Sequence, residues 1–327
     1  MAGELLSRIG EQFLGVFLAP QSTLSIVALA GTFLVAASLI LLKRGQDKPV
    51  RLALFLRAMF PRRIWKSRSG RADIGWALYG VSISGLCIGW LLVSSQWYAG
   101  KVSDAADGIA LLHLGPALAV PFATVLAFLA YEFAYWLDHF LMHRIPALWM
   151  LHRVHHSADH LSLLTNFRVH PVESVLYYNL LALIVGTMQG LAPVLLGPAA
   201  APAQIGGLNV LVMLFAIGVT HLQHSHFWVW YGPKWGRILL GPAHHQLHHS
   251  SDPTHHDCNF GSSLAIFDHV FGTFIMPAPQ RQSIVFGIGE QDFDPHSLSA
   301  MTVRPVADAA AEIAKPLRTP ARVRSEA

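Results

Sequence analysis

The sequence predicts an all-α fold, a polytopic integral membrane helical bundle with a histidine-rich dimetal site on its cytoplasmic face. Three observations carry that reading. Of 327 residues, 53% are hydrophobic and only 13% charged, with a mean hydropathy of +0.43, where a soluble domain carries roughly a quarter charged. Several apolar runs approach or exceed the ~20 residues that cross a bilayer. Sixteen of the 19 histidines lie between residues 139 and 256, and many of them recur at helical spacing.

Residues 1–19 form an amphipathic stretch, Leu5, Leu6, Ile9, Phe13, Phe17 and Leu18 alternating with Glu4, Arg8 and Glu11. It is too polar to span, and the absence of a basic segment before an apolar core argues against a cleavable signal. Leu24 to Leu42 is the first expected span. Ten basic residues follow, Lys43, Arg44, Lys48, Arg51, Arg57, Arg62, Arg63, Lys66, Arg68 and Arg71, opposed only by Asp47 and Asp73. Between apolar runs such a cluster reads as a cytoplasmic loop rather than a nucleic-acid surface, so no nucleic-acid partner is expected.

Ile74 to Val93 is the expected second span and Leu111 to Leu137 the third, running directly into the first histidines. Asp138 to Glu173 is too polar for lipid. Val175 to Leu196 and Leu208 to Val219, joined by the Pro- and Ala-rich GPAAAPAQIGG, read as a helical hairpin. Counting crossings from a cytoplasmic basic loop returns both histidine-rich segments to the cytoplasmic side, with four to five spans in all. A hairpin that re-enters without crossing gives the same sidedness. Cys87 and Cys258 lie far apart in unlike surroundings, so no disulfide is expected and a reducing compartment fits. The expected organisation is membrane-anchoring helices with the basic loop over 1–110, a catalytic unit over 111–276 and a partly disordered C-terminal tail over 277–327.

The histidines form three sets. His139 and His143 are one helical turn apart; His152, His155 and His156 share one helix face, as do His245, His248 and His249. Imidazole suits iron, zinc, copper and nickel, and two first-row ions need about eight to ten ligands. The three sets supply eight, with His170, His221 and His224 as candidates for the rest. His226, His244, His255 and His256 stay open, and His113, His160, His269 and His296 read as structural. Metal-bound imidazoles pass their second N–H to a carboxylate or carbonyl, and Glu132, Asp138, Glu173, Asp257, Asn259 and Asp268 are placed to take that supporting part. Glu132 stands out as a carboxylate inside an apolar span.

Together, H-x3-H at His139 and His143, H-x2-HH at His152 and at His245, RVHPVES around His170, QHSH around His224 and NFGSSLAIFDHVFGTF from Asn259 to Phe274 give the chain, over roughly 125–275, a close resemblance to the fatty acid hydroxylase and sterol desaturase superfamily. The resemblance implies a membrane-embedded helical protein whose histidines hold two Fe ions, with Zn a possible substitute. It implies O2 as co-substrate and hydroxylation or desaturation of a lipid C–H bond, the substrate being drawn from the bilayer. The chain departs from the family pattern in Glu132, where Asp is frequent, in His226, where Asn is frequent, and in the additional His255 and His256. No CxxC pair, dinucleotide-binding fingerprint or haem-binding domain is visible, so a separate electron donor (ferredoxin, flavoprotein reductase or small cytochrome) is expected. The rival readings are a dizinc membrane hydrolase acting on a lipid, which needs no electrons, and a metal-ion transporter, which calls for more ionisable residues within spans than Glu132 alone.

Overall fold

A computed structural model describes residues 25–44, 51–80, 82, 89–106, 109 and 111–315, with isolated positions 10, 14, 15, 17 and 18. Most of the amphipathic stretch over 1–19, Cys87, part of the second expected span (81 and 83–88) and the last residues of the tail lie outside them. The described chain is mostly helical, with one two-residue hairpin pairing Gln204–Ile205 (β1) with Leu208–Asn209 (β2).

Helix α1 (Ile26–Arg44) covers the first expected span. The basic segment folds from residue 51 on into three helices, α2 (Leu52–Met59), α3 (Arg62–Trp65) and α4 (Arg68–Tyr79). The α4 helix starts at Arg68, six residues before the expected second span, and the hydroxyl of Ser67 just before it accepts the Gly70 N–H as an N-cap. Asp73 therefore sits inside a helix and fully buried. It pairs with Arg168 at 3.3 Å and accepts hydrogen bonds from Ser162 and Thr165.

Helices α5 (Ser95–Ala105), α6 (Pro116–Arg144), α7 (Pro146–His156) and α8 (Pro171–Leu196) build the scaffold of the site. Two of them, α6 and α8, are long and apolar enough to cross a membrane. Residues 111–115, expected as the start of the third span, are not helical. Leu111 and Leu114 instead donate to Val194 and Leu196 carbonyls at the end of α8, satisfying acceptors that a helix terminus leaves open. Small residues let α6 and α8 approach: Ala119, Ala123, Ala192 and Ala200 are all buried in one cluster.

The α5–α8 contact is closer still. A Cβ at Gly190 would lie 2.5 Å from the Ala99 carbonyl oxygen and 2.7 Å from Val102 Cβ. Neither neighbour is a flexible side-chain end, so Gly190→Ala forces the helices apart. The expected cost is about 1–3 kcal/mol, read as a lowered unfolding temperature in detergent; an unchanged midpoint would show that the helices slide apart freely.

A single residue, Ile145, joins α6 to α7. It is extended, as a residue before proline prefers, and Pro146 opens α7 where its missing N–H costs nothing. Both limbs of the expected hairpin are helical, but the second packs against α6 and α1 rather than against α8. After α8 and the β1–β2 turn, α9 (Val210–Phe215) runs through a π turn at Ala216–Thr220 into α10 (His221–Gln223). Asn209 caps α9 and also donates to the Thr124 carbonyl, tying the hairpin tip to α6.

The polar side is completed by α11 (Gly232–Trp235), α12 (Pro242–His248) and α13 (Ile266–Phe271). A last helix, α14 (Leu298–Ala314), occupies the region expected as tail. It packs on α7 through Met301 against Val154 and Trp76, and through the Asp308–Arg153 ion pair. Pro305 and mixed charge disguised it. Proline removes only one ladder bond there, and Met301, Pro305 and Ala309 still line a buried stripe at helical spacing.

Candidate metal centre

Nine buried or nearly buried imidazoles converge where α6, α7, α10 and α12 meet. His139, His143, His152, His156 and His248 form one group, and His155, His224, His245 and His249 a second; within each, one nitrogen per residue lies within 4.8 Å of all the others. The helix repeat explains the selection. His139 and His143 project from one face at the end of α6. On α7, His152 and His156 face the first group, while His155, a turn from His152, reaches the second. Helix α12 with its C-cap splits likewise, His248 to the first group and His245 and His249 to the second.

The nitrogens point at one another. His143 Nε2 and His156 Nε2 are 3.2 Å apart, His156 Nε2 and His248 Nε2 3.1 Å, His155 Nε2 and His224 Nε2 2.9 Å, and His224 Nε2 and His245 Nε2 2.8 Å. A neutral imidazole has one N–H and one acceptor, so His224 Nε2 cannot serve both neighbours as donor and acceptor at once. The buried His139 Nε2 and His152 Nε2 have no hydrogen-bond partner at all. A cluster of converging lone pairs of this kind is satisfied by cations, and four or five imidazoles fit a first-row ion.

Three outward nitrogens of the first group are held, whereas His155 Nδ1 and His224 Nδ1 in the second have no hydrogen-bond partner. His152 Nδ1 is 2.7 Å from Glu173 Oε1, His139 Nδ1 2.9 Å from the Phe260 carbonyl and His248 Nδ1 2.8 Å from the Cys258 carbonyl. In each pair the imidazole N–H donates to oxygen, which fixes the tautomer and leaves Nε2 free as ligand. His143 Nδ1 has Asp257 Oδ1 at 3.6 Å, and that carboxylate also meets Arg144 at 3.3 Å.

The loop carrying those two carbonyls is locked from behind. Asp268 accepts from the Phe260 and Gly261 N–H groups, from Trp136 Nε1 and from Thr273 Oγ1. Glu132 accepts from the Ser263 and Leu264 N–H groups at 2.9 and 2.8 Å. Glu132 therefore supports the loop, not a ligand directly. Asn259, at φ +53°, exchanges two bonds with Ile275 backbone and donates to the His244 carbonyl. Asp138 is buried within electrostatic reach of Glu173.

Two sequence-derived ligand candidates are not brought into either group. His170 is the N-cap of α8; its Nδ1 accepts the Val172 N–H and its Nε2 donates to the Thr302 carbonyl, so both nitrogens are engaged. His221 is buried, and although the H-x2-H spacing with His224 made either eligible, the π turn just before it delivers His224 instead. The open candidates also fall outside: His244 accepts the Gly241 N–H, His226 bonds the Ala58 carbonyl and His255 meets Ser250. His256 lines the cavity described below. Sequence reasoning missed the Cys258 and Phe260 carbonyls and the Trp149 ring, 5.1 Å from His143 and 5.4 Å from His156. The one available signal was the motif joining Asp257 and Asn259, both at positive φ.

Burial, then neighbouring imidazoles, hold His224 down to about 3, and burial does the same for His248. Both are neutral at neutral pH, while in an unfolded chain they titrate near 6.5. Below that value the unfolded state binds more protons, so stability of the metal-free protein is full above about pH 6.5 and falls toward pH 3, by about 1.4 kcal/mol per pH unit for each such histidine. Denaturation of metal-free protein at about pH 7.5 and about pH 5 should show this loss; equal midpoints would contradict it. Glu173→Ala, which strips the acceptor from His152, should weaken metal retention about 10–100-fold in chelator competition, with Glu173→Gln intermediate.

A cavity of about 510 Å³ opens onto the first group, lined by His143, His156 and His248 on one side and by Trp149, Arg153 and Gln291 among others. The profile of the fatty acid hydroxylase family matches residues 124–273. An alkylglycerol monooxygenase of Danio rerio is 28% identical over 172 residues, 50% of this chain and 32% of that protein. The Homo sapiens alkylglycerol monooxygenase is 27% identical over 180 residues, 51% of this chain and 33% of its own length. An ornithine lipid hydroxylase of Rhizobium tropici is 28% identical over 244 residues, 72% of this chain and 67% of that protein. The match thus spans about a third of the alkylglycerol monooxygenases. No solved structure matches the chain. Residues 124–273, which carry all nine clustered imidazoles and the loop that holds them, belong to the fatty acid hydroxylase and sterol desaturase superfamily.

Proposed function

We propose that the protein is a multi-pass, membrane-embedded non-haem diiron oxygenase that hydroxylates a C–H bond of a lipid. The observation that carries this reading is the pair of imidazole groups, nine nitrogens aimed inward in a buried pocket at the polar end of an apolar helix. His139, His143, His152, His156 and His248 hold one ion, and His155, His224, His245 and His249 the other. The resemblance to an alkylglycerol monooxygenase and an ornithine lipid hydroxylase favours hydroxylation over a dizinc hydrolase.

When bound, two irons supply the reduction of O2 and the removal of hydrogen from carbon. In balance, one oxygen atom enters the C–H bond and the other leaves as water, with two electrons and two protons from outside. The electrons come from a separate ferredoxin, flavoprotein reductase or small cytochrome. The chain's own residues position and shield. Glu173 and the Cys258 and Phe260 carbonyls keep their imidazoles in the ligand tautomer. Trp149 covers His143 and His156 on the cavity side and limits water there. Arg153 and Gln291, at the same cavity, receive a polar lipid head while the alkyl part reaches the imidazoles.

Membrane embedding is supported by α8, of whose most apolar window only 28% is buried within the protein; so much uncovered apolar surface calls for lipid. The basic residues between α1 and α4 support a cytoplasmic placing of the centre. The test is anaerobic purification with metal analysis and Mössbauer spectroscopy, followed by turnover of membrane lipid extract under isotopically labelled O2. Iron at two per chain and label in a lipid alcohol are expected. Zinc as the only native metal, with product formed without O2, would overturn the reading.

A further inference from the structure

Two cavities that none of the nine clustered imidazoles lines share a wall. The first, about 520 Å³, is bordered by Arg57, Arg63, Arg281 and His226, and no carboxylate lines it. Among the described residues these three arginines, like Arg51, Arg62, Arg71 and Arg237, have no ion-pair partner, and these three gather around one cavity. The second, about 280 Å³, is apolar, lined by Leu29, Phe33 and Ala36 of α1, by Ile64 and Trp65, and by Leu222. His226 and Phe227 belong to both linings. His226 is pinned there by its 2.8 Å bond to the Ala58 carbonyl, which fixes the partition between the charged and apolar halves.

Three guanidinium groups around one cavity repel one another, and an anion there removes that repulsion. Guanidinium forks match phosphate and carboxylate oxygens in paired hydrogen bonds. A free anion would leave the adjoining apolar cavity unused. The surrounding surface gives the level of the site: α2 exposes Leu52, Leu54 and Leu56, with Phe60 just beyond it, beside Arg57, the pattern of a helix lying in a membrane interface. The charged cavity is then at headgroup depth and the apolar one faces acyl chains.

We propose that the protein binds an amphiphile with an anionic, phosphate-type head and a single alkyl chain. The head sits among Arg57, Arg63 and Arg281, and the chain lies in the apolar cavity between α1, α3 and the Leu222–Phe227 turn. This site is separate from the cavity over the first imidazole group and does not depend on the proposed oxygenase activity.

The test uses the full chain in neutral detergent and reads bound ligand by native mass spectrometry. The probes are oleoyl lysophosphatidic acid, monoolein of the same chain, and inorganic phosphate. The phosphate-headed lipid should bind at least about tenfold tighter than monoolein. A combined Arg57→Gln, Arg63→Gln, Arg281→Gln variant should erase that difference, and Leu29→Trp, which fills the apolar cavity, should weaken both lipids. Equal affinity for the two lipids, or a preference that survives loss of the three arginines, overturns the proposal. Phosphate binding as tightly as the lysophospholipid would reassign the site to a free anion, and so overturn it too. Unchanged metal content and elution volume of the variants establish that a loss of binding is local.

Discussion

His248→Ala should yield a protein that still inserts into membranes but retains about one equivalent less metal per chain, with oxygenase activity lowered more than about 10²-fold. The ring stands at the centre of the first group: its Nε2 is 3.1 Å from that of His156 and its centroid 4.4 Å from that of His139. His152→Ala removes the one ligand held by a carboxylate, and His155→Ala the member of the second group that α7 contributes, so the same deficit is expected of each. His269→Ala is the matched control. That residue bonds the Arg237 carbonyl outside both groups and should leave metal content unchanged. Near-normal iron in all three ligand variants, measured by plasma emission on purified protein, would refute the assignment.

The second large effect should come from a residue that touches no ligand. Asp268 is fully buried and accepts four hydrogen bonds, two of them from the backbone of the loop whose carbonyls orient His139 and His248. Burial pushes its carboxyl above the usual range, and the four donors pull it back. Asp268→Ala leaves those donors without acceptors in a site closed to water, an expected cost of about 3–5 kcal/mol of stability. As the loop relaxes, the imidazoles lose their fixed tautomer, and metal affinity should fall about 10–100-fold. Chelator competition and thermal unfolding measure the two effects separately. Wild-type affinity in a destabilised variant would show that the loop holds the fold but not the ligands.

The clustered imidazoles were legible because helices convert spacing into direction: an imidazole at i, i+3 or i+4 shares a face wherever the helix lies. All nine clustered histidines carry that signal. His170 and His221 show where it ends. An RVHPVES stretch reads the same whether its imidazole binds metal or caps a helix, and only the packing of α14, which brings the Thr302 carbonyl to His170, decides. The choice of His224 over His221 depends on a π turn, one extra residue in a helical path that no side-chain pattern announces. The backbone acceptors at Cys258 and Phe260 were invisible for a simpler reason. Every residue has a carbonyl, and which one is aimed at an imidazole is a property of the loop. Glu132 stood out in the sequence as a carboxylate inside an apolar span, and the structure places it against two amide protons, of Ser263 and Leu264.

Each imidazole group draws from both halves of residues 124–273, His139 to His156 on one side and His224 to His249 on the other. A bound ion therefore acts as a chain crosslink that closes a loop running through α8, the hairpin and α9. Closing so long a loop removes much of the freedom of the open chain. Metal loading is thereby coupled to how tightly the hairpin is docked against α6. Chelated protein should be cut by protease first between Ser157 and Thr220, in segments that bound ions would tether at both ends.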